Sequence, residues 1–540
     1  MASTIEATTI GDLLIRAAER WPDADALVLP ASRHTFADLE ERSVDRARAL
    51  IALGVRPGEH VAMFLPTSVE FVEFLFGIAL AGAVPVPINA RYRGNELRYL
   101  VDNSDSVAVI ATADVAEGVN LLERLSEALG DHGAAGIETL RSVVSLSGDA
   151  PGVIGPRAFA GLAGDVPVAE VHRRRPRARL RDTGIVLYTS GTTSNPKGCL
   201  LSHEAVVRNG IELARRYEMS QADRFWSPLA MYHIGGIMPI AASFWVGCRY
   251  VTMPRFEAGL ALRLFRDEGV TINYAAFWPI IADLINHPEF ATTDLSNTRL
   301  MNSSLAMQPE PARRTLARAM PNAFQVSTYG LTEAAGTVTT SRLDDSYEAR
   351  IARLGAPLEG LEVRIVDPDG REVPPGAHGE ITIRGYGIID GYYKDPEKTA
   401  EALRDGWLHT GDIGSVDEAG HVMFHGRTKD MLKVGGENVA ALEIEALVGS
   451  HPEVRLCQVV GCPDDRLVEV PAAFVELKTP GAVGEGDIIE FCKGKVAGFK
   501  LPRHVRFVSE WPMGATKIQK FKLRDRLIEE LGLAGNDTTG

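Results

Sequence analysis

Between residues 188 and 198 the chain reads Tyr-Thr-Ser-Gly-Thr-Thr-Ser-Asn-Pro-Lys-Gly, gathering five hydroxyl side chains, two glycines and a lysine into one short segment. Hydroxyls, exposed backbone N–H groups and an ammonium together form a donor set for phosphate oxygens. The G-x-x-x-x-G-K-[ST] spacing of the Walker loop is absent. The run 184–188 is apolar enough for a buried strand, and 203–217 has helical spacing, which predicts a strand-to-helix loop between them. A Ser/Thr-rich surface turn would account for the hydroxyls but not for the Pro-Lys-Gly ending.

The segment resembles the phosphate loop of the adenylate-forming superfamily, which includes acyl-CoA synthetases, luciferases and the adenylation domains of peptide synthetases. Further similar motifs follow in that family's order: Met231-Tyr232-His233-Ile234-Gly235-Gly236, Tyr329-Gly330-Leu331-Thr332-Glu333, Leu408-His409-Thr410-Gly411-Asp412, His425-Gly426-Arg427-Thr428-Lys429-Asp430 and Thr516-Lys517-Ile518-Gln519-Lys520. The likeness runs from about residue 10 to about residue 525, and acyl-CoA synthetases are its nearest part. Taken singly, a Thr-Glu pair reads as a helix cap, a T-G-D as a turn and a C-terminal lysine as a surface charge. The ordered set reverses those readings.

The resemblance implies two steps: a carboxylate displaces pyrophosphate from ATP to give an acyl-adenylate, then the thiol of coenzyme A displaces AMP. Each step builds negative charge, so cations and fixed donors are expected to dominate. By resemblance, Thr189, Ser190, Gly191, Thr192, Thr193 and Lys197 cradle the β- and γ-phosphates. Glu333 is the magnesium carboxylate, and Thr332 faces the α-phosphate. Asp412 takes both ribose hydroxyls, Tyr329 with Gly330 packs on adenine, and Ser303 and Ser304 line the base where the family has glycine and alanine. Arg427 reaches ribose or phosphate, and Lys429 stands at the hinge. Gly435, Gly436 and Glu437 border a tunnel for the pantetheine arm, with His233 at its mouth. Lys517 bridges the substrate carboxylate and the α-phosphate. Ser194 and Thr516 stand where the family usually has glycine. The expected acyl pocket is Tyr232, Ile237, Phe277, Trp278, Gly330, Leu331 and Gly336, apolar, small or aromatic, which suits a hydrophobic acid.

The elements that must position these residues are those of an α/β protein. With 540 residues the chain is too long for a single core. From about 10 to 180, and again from 183 to about 340, helical and strand-like pieces alternate, predicting two α/β sheet layers. From 350 to 424 short strands divided by glycine and proline predict a small β-barrel or meander, and from 432 onward a compact α+β domain follows, which the resemblance implies is a mobile lid. The resemblance implies the same division: an AMP-binding domain over 1–426, a hinge over 427–431 and a lid over 432–540.

A formal charge of −14 argues against nucleic acid as the main partner. The five cysteines form no C-x-x-C pair and no zinc spacing, so free thiols in the cytoplasm are expected. Residues 71–88 are largely apolar, but Glu73 and the Val84-Pro85-Val86-Pro87 ending predict a buried helix running into a strand rather than a membrane span. Six arginines between 172 and 181 read as a solvated linker, with attraction of anionic nucleotides as the alternative. A homodimer is compatible with all of this. Two rival functions stay open: an adenylation enzyme loading a carrier-protein thiol, against which stands the lack of an aspartate in 231–236, and a catalytically silent nucleotide-binding regulator, against which stand Lys197, Glu333 and Lys517.

Overall fold

The computed structural model describes residues 8–116, 118–189, 195–308, 310–427, 431–434, 437–513 and 518–533. Strands His60–Phe64, Val84–Pro87, Ser106–Ala111 and Ser142–Ser145 form a four-stranded, wholly parallel sheet. Its central strands are apolar on both faces because helices cover both sides. One of them, Val69–Leu80, is capped by Ser68, whose hydroxyl accepts from Phe71 N–H. This helix and the strand Val84–Pro87 are the buried pair expected over 71–88. Glu73 is fully buried, and Arg46 (2.7 Å) and Arg42 (3.2 Å) neutralise its carboxylate. Among the described residues no helix is long and apolar enough to cross a membrane.

The second sheet has seven strands in the order Phe324–Val326, Leu300–Asn302, Ile272–Asn273, Arg224–Trp226, Arg249–Val251, Asp25–Leu29 and Ser32–Thr35. All neighbours are parallel except the last pair. Two of its strands thus come from the N-terminal stretch, which the alternation alone assigned to the first sheet. An antiparallel sheet follows, built from Leu361–Val366, Gly379–Gly385, Trp407–Val416, Leu403–Arg404 and Val422–Arg427. The C-terminal part sets helices Ala441–Gly449, Glu485–Cys492 and Lys520–Glu530 on a five-stranded sheet. It has its own apolar cluster around Leu432, Ile444, Val459 and Val475.

Two expectations are corrected. The segment after Thr189 does not lead straight into a helix. Strand Thr183–Thr189 pairs antiparallel with Lys197–Ser202, and the helix His203–Arg216 begins only after that second strand. Cys199 and Leu201 are fully buried, so the second strand is held by its apolar side chains, and Ser202 caps the helix by accepting from Ala205 N–H. The hairpin, not a helix N-terminus, presents the phosphate motif. The arginine run is a solvated linker only in part: it spans the helix Val168–Arg174, the turn Arg175–Arg177 and the residues up to 181, with Arg173, Arg177, Arg179 and Arg181 exposed and Arg174 and Arg175 partly buried. Arg174 donates to Glu170, Val55 O and Ala81 O, Arg175 to Asp12, and Arg181 lies 3.0 Å from Glu204. The Arg174 and Arg175 guanidinium groups tie helix ends together, whereas Arg181 stays exposed.

Candidate active site

A cavity of about 1350 Å³ lies among the hairpin 183–202, the carboxyl ends of the seven-stranded sheet, the antiparallel sheet and the C-terminal part. Lys197, Tyr329's neighbours Gly330 to Glu333, Thr410, Gly411, Arg427 and, from the C-terminal part, Lys520 and Arg524 all line it. Ligand crevices at the carboxyl ends of parallel strands are the general outcome of such sheets.

Next to the lining residue Gly411 stands Asp412, 2 % exposed; it and Tyr329, expected to meet ribose and adenine, lie behind the cavity lining and not on it. The Thr-Gly-Asp triplet interrupts strand Trp407–Val416: Gly411 takes φ +69°, donating its N–H to Glu380 Oε1 (2.9 Å), while Thr410 Oγ1 donates to Ile381 O (2.7 Å) and accepts from Asp412 N–H. That turn aims the carboxylate inward. Tyr329 OH donates to Asp412 Oδ2 at 2.7 Å. Arg427 Nε lies 3.0 Å from Oδ1, close enough for an ion pair but off the N–H axis, so among the described residues this buried oxygen has no hydrogen-bond donor. A buried carboxylate oxygen in that state is suited to a ligand hydroxyl. Burial, then the adjacent Asp412 charge, pushes the Tyr329 phenol well above its usual value, so it remains a neutral donor. The Tyr329 ring stacks on Phe424, with centroids 6.2 Å apart.

At the phosphate end, Glu333 sits in the turn Thr332–Ala334. Tyr392 OH donates to its Oε1 at 3.1 Å, and Lys197 Nζ lies 4.1 Å from the centre of the same tyrosine ring. Tyr392 reaches there because Gly391–Tyr392 pairs with the hairpin strand, Tyr392 opposite Cys199. Burial and the Glu333 charge raise the Tyr392 phenol. Sequence reasoning missed Tyr392, since only this long-range pairing brings it to the site. Tyr392→Phe is expected to lower kcat/KM for ATP about tenfold, the worth of one hydrogen bond to a charged group. An unaltered value in steady-state assays would show that Glu333 needs no such anchor.

One stretch of the wall is apolar. Phe277, 38 % exposed, and Trp278 open the helix Trp278–Asn286 and face the cavity with Ile234, Met238, Leu331, Gly330 and Gly336. A Cβ on Gly330 would come within 2.0 Å of Gly336 O, so no other residue fits there. Asn209 fixes the strand Gly336–Thr340, donating to Thr337 O (2.7 Å) and accepting from Thr337 N–H (3.2 Å). His233 precedes the helix Ile234–Val246 and lines the cavity, its ring 4.8 Å from that of Tyr232. Three residues expected on the wall are not on it. Tyr232 and Ile237 are buried behind it, because Ile237 faces the main core and Tyr232 packs edge-on against His233. Ser303 is fully buried and its hydroxyl donates to Gln325 Oε1. Ser304 does line the cavity, but its hydroxyl donates to Ala276 O at 2.6 Å, and its φ of +49° belongs to the left-handed region.

Ser190, Gly191, Thr192, Thr193, Lys429, Gly435, Gly436 and Lys517 lie outside the described residues, as do Ser194 and Thr516. Glu437 is described only as the first residue of strand Glu437–Ala440. Thr189 and Lys197, which flank the first of these gaps, both line the cavity.

Residues 14–393 match the family model of the AMP-binding enzyme, and 443–518 that of the AMP-binding enzyme C-terminal domain. YngI of Bacillus subtilis (strain 168) is 34 % identical over 98 % of this chain and 99 % of its own length. The mitochondrial medium-chain acyl-CoA ligase ACSF2 of Rattus norvegicus is 31 % identical over 97 % and 88 %. Among solved structures, the anthranilate CoA ligase AuaEII in complex with anthranoyl-AMP superposes with a TM-score of 0.86 at 28 % identity, covering 98 % of each chain.

Proposed function

The chain belongs to the AMP-binding enzyme family, and on that premise we propose that it adenylates a hydrophobic monocarboxylic acid with ATP and passes the acyl group to coenzyme A. The observation that supports this best is the buried Asp412 carboxylate, with one oxygen held by Tyr329 and the other, among the described residues, without a hydrogen-bond donor, directly behind Gly411 and Arg427, which line the same cavity as Glu333 and Lys197. One end suits a ribose, the other a polyphosphate, and an apolar wall lies beside them.

In the first step a carboxylate oxygen bonds to the α-phosphorus and pyrophosphate leaves. Lys197 offsets charge on the departing phosphates, Thr332 contributes a hydroxyl beside the α-phosphate, and Lys517 bridges the reacting oxygens. Glu333 fits a magnesium ion: its Oε1 is steadied by Tyr392, and a single carboxylate is enough for an ion that takes most of its ligands from phosphate and water. When bound, the ion neutralises phosphate charge. In the second step the thiol, losing its proton, bonds to the acyl carbon and AMP leaves. The glycine pair Gly435-Gly436 admits the pantetheine arm and His233 stands at the entrance. A hinge at 427–431 separates an AMP-binding domain over 1–426 from a lid over 432–540. The buried, unpaired cysteines suit a cytoplasmic enzyme.

The test is pyrophosphate release across a panel of acids, with and without coenzyme A. An ammonium buried against this apolar wall would lack a partner, so hydrophobic monocarboxylic acids are expected to exceed amino acids of equal size by about 10²-fold in kcat/KM. A panel led by a free amino acid, or AMP formation indifferent to coenzyme A, would overturn the reading.

A further inference from the structure

Three polar side chains in the cavity are used by none of these steps. Tyr274 follows the strand Ile272–Asn273, Asn302 ends Leu300–Asn302, and Thr337 lies in Gly336–Thr340. All three line the cavity, and they are 4 %, 0 % and 2 % exposed. The Tyr274 hydroxyl is 3.4 Å from Thr337 Oγ1, and the Asn302 carboxamide lies beside the same hydroxyl. Asn302 Oδ1 accepts from the Ser304 N–H at 3.4 Å, which turns its amide nitrogen the other way; that buried Nδ2 has the Tyr274 hydroxyl beside it but, among the described residues, no well-formed hydrogen bond.

The group is rigidly mounted. Asn209 grips Thr337 through both backbone atoms, and Tyr274 N–H donates to Trp226 O at 2.8 Å. A buried donor left unmatched is costly, and leucine would fill the same wall without that penalty. The set is rich in donors and carries no charge. A second carboxylate would therefore be buried there without a cation, whereas a neutral acceptor would complete the hydrogen bonds.

We propose that the acid carries on its hydrophobic body a neutral oxygen acceptor, a ketone or hydroxyl, received by Asn302 Nδ2 together with the Tyr274 hydroxyl. This rests on the ligase reading above and narrows its substrate class. It differs from recognition of the nucleotide, whose ribose and phosphate ends are met by Asp412 and by Lys197 with Glu333.

The experiment uses the full-length enzyme and hydrophobic monocarboxylic acids bearing a ketone at successive positions, each compared with its methylene parent. For at least one position, kcat/KM is expected to exceed the parent's by about 10²-fold or more, because a site built to hydrogen-bond a group rejects the analogue lacking it. In Asn302→Leu and in Tyr274→Phe that ratio is expected to fall to within about threefold of unity, the change lying in KM for the acid and not for ATP. The proposal is overturned if no ketone position outdoes its parent, if the preference survives both substitutions, or if the loss falls on ATP. If the methylene parents release no pyrophosphate either, the ligase reading itself fails; parents turned over as fast as every ketone defeat the oxygen subsite alone.

Discussion

Lys517→Ala is expected to slow adenylation by roughly 10²- to 10⁴-fold, the range of a lost charge-stabilising group, while thioester formation from supplied acyl-adenylate is largely retained. The lysine is needed only while a carboxylate and a phosphate, both anionic, approach each other. Once the acyl-adenylate exists, the incoming thiol meets a carbonyl, and on the proposed mechanism Lys517 would give way to Gly435-Gly436. Strand Val422–Arg427 ends and strand Met431–Val434 begins around the proposed pivot, which contains Lys429. Lys429→Pro, which fixes φ there, is expected to produce the opposite pattern: adenylation continues and thioester formation is lost. Each variant has to be measured on each half-reaction. Equal losses in both halves would mean that one static site performs all the chemistry.

Glu333→Gln is expected to reduce ATP–pyrophosphate exchange by about 10²- to 10³-fold, comparable to removing one preorganised electrostatic group. The substitution keeps the shape of the side chain, and the amide oxygen can still accept from Tyr392 OH at the position now held at 3.1 Å. What it removes is the negative charge facing the cation, so the deficit should persist at saturating magnesium. Exchange at the unsubstituted rate would take Glu333 out of the site and leave Tyr392 holding a carboxylate with no part in the reaction.

Much of this arrangement was legible in the residues. The helix Val69–Leu80 and the strands Ser106–Ala111 and Gly379–Gly385 announce themselves because their apolar spacing is set by burial, which composition records locally. The motif residues Lys197, Gly330, Leu331, Thr332, Glu333, Gly411 and Arg427 do converge on one cavity. What escaped was long-range in origin. Nothing near Lys197 says that its strand doubles back on Thr183–Thr189 before the helix begins. Six clustered arginines look solvated alike, whereas Arg174 reaches the carbonyls of Val55 and Ala81. Tyr232 and Ile237 sit in or next to a motif that borders the site, yet helix geometry turns Ile237 to the core and ring packing holds Tyr232 against His233. Tyr392 owes its place to a two-residue strand about two hundred residues away from its partner.

Arg427 is the first residue of the proposed pivot, and its guanidinium rests on the one Asp412 oxygen that, among the described residues, has no hydrogen-bond donor. A ribose hydroxyl arriving at that oxygen must share it with, or displace, an arginine whose position depends on the orientation of the chain beyond it. On the proposed hinge and ribose site, nucleotide occupancy and domain orientation would therefore be thermodynamically linked through a single carboxylate. By reciprocity, whatever factor ATP applies to the equilibrium between orientations, the orientations apply to the affinity for ATP. Arg427→Ala should uncouple the two, visible as an ATP affinity that no longer responds to a substitution that biases the pivot, such as Lys429→Pro.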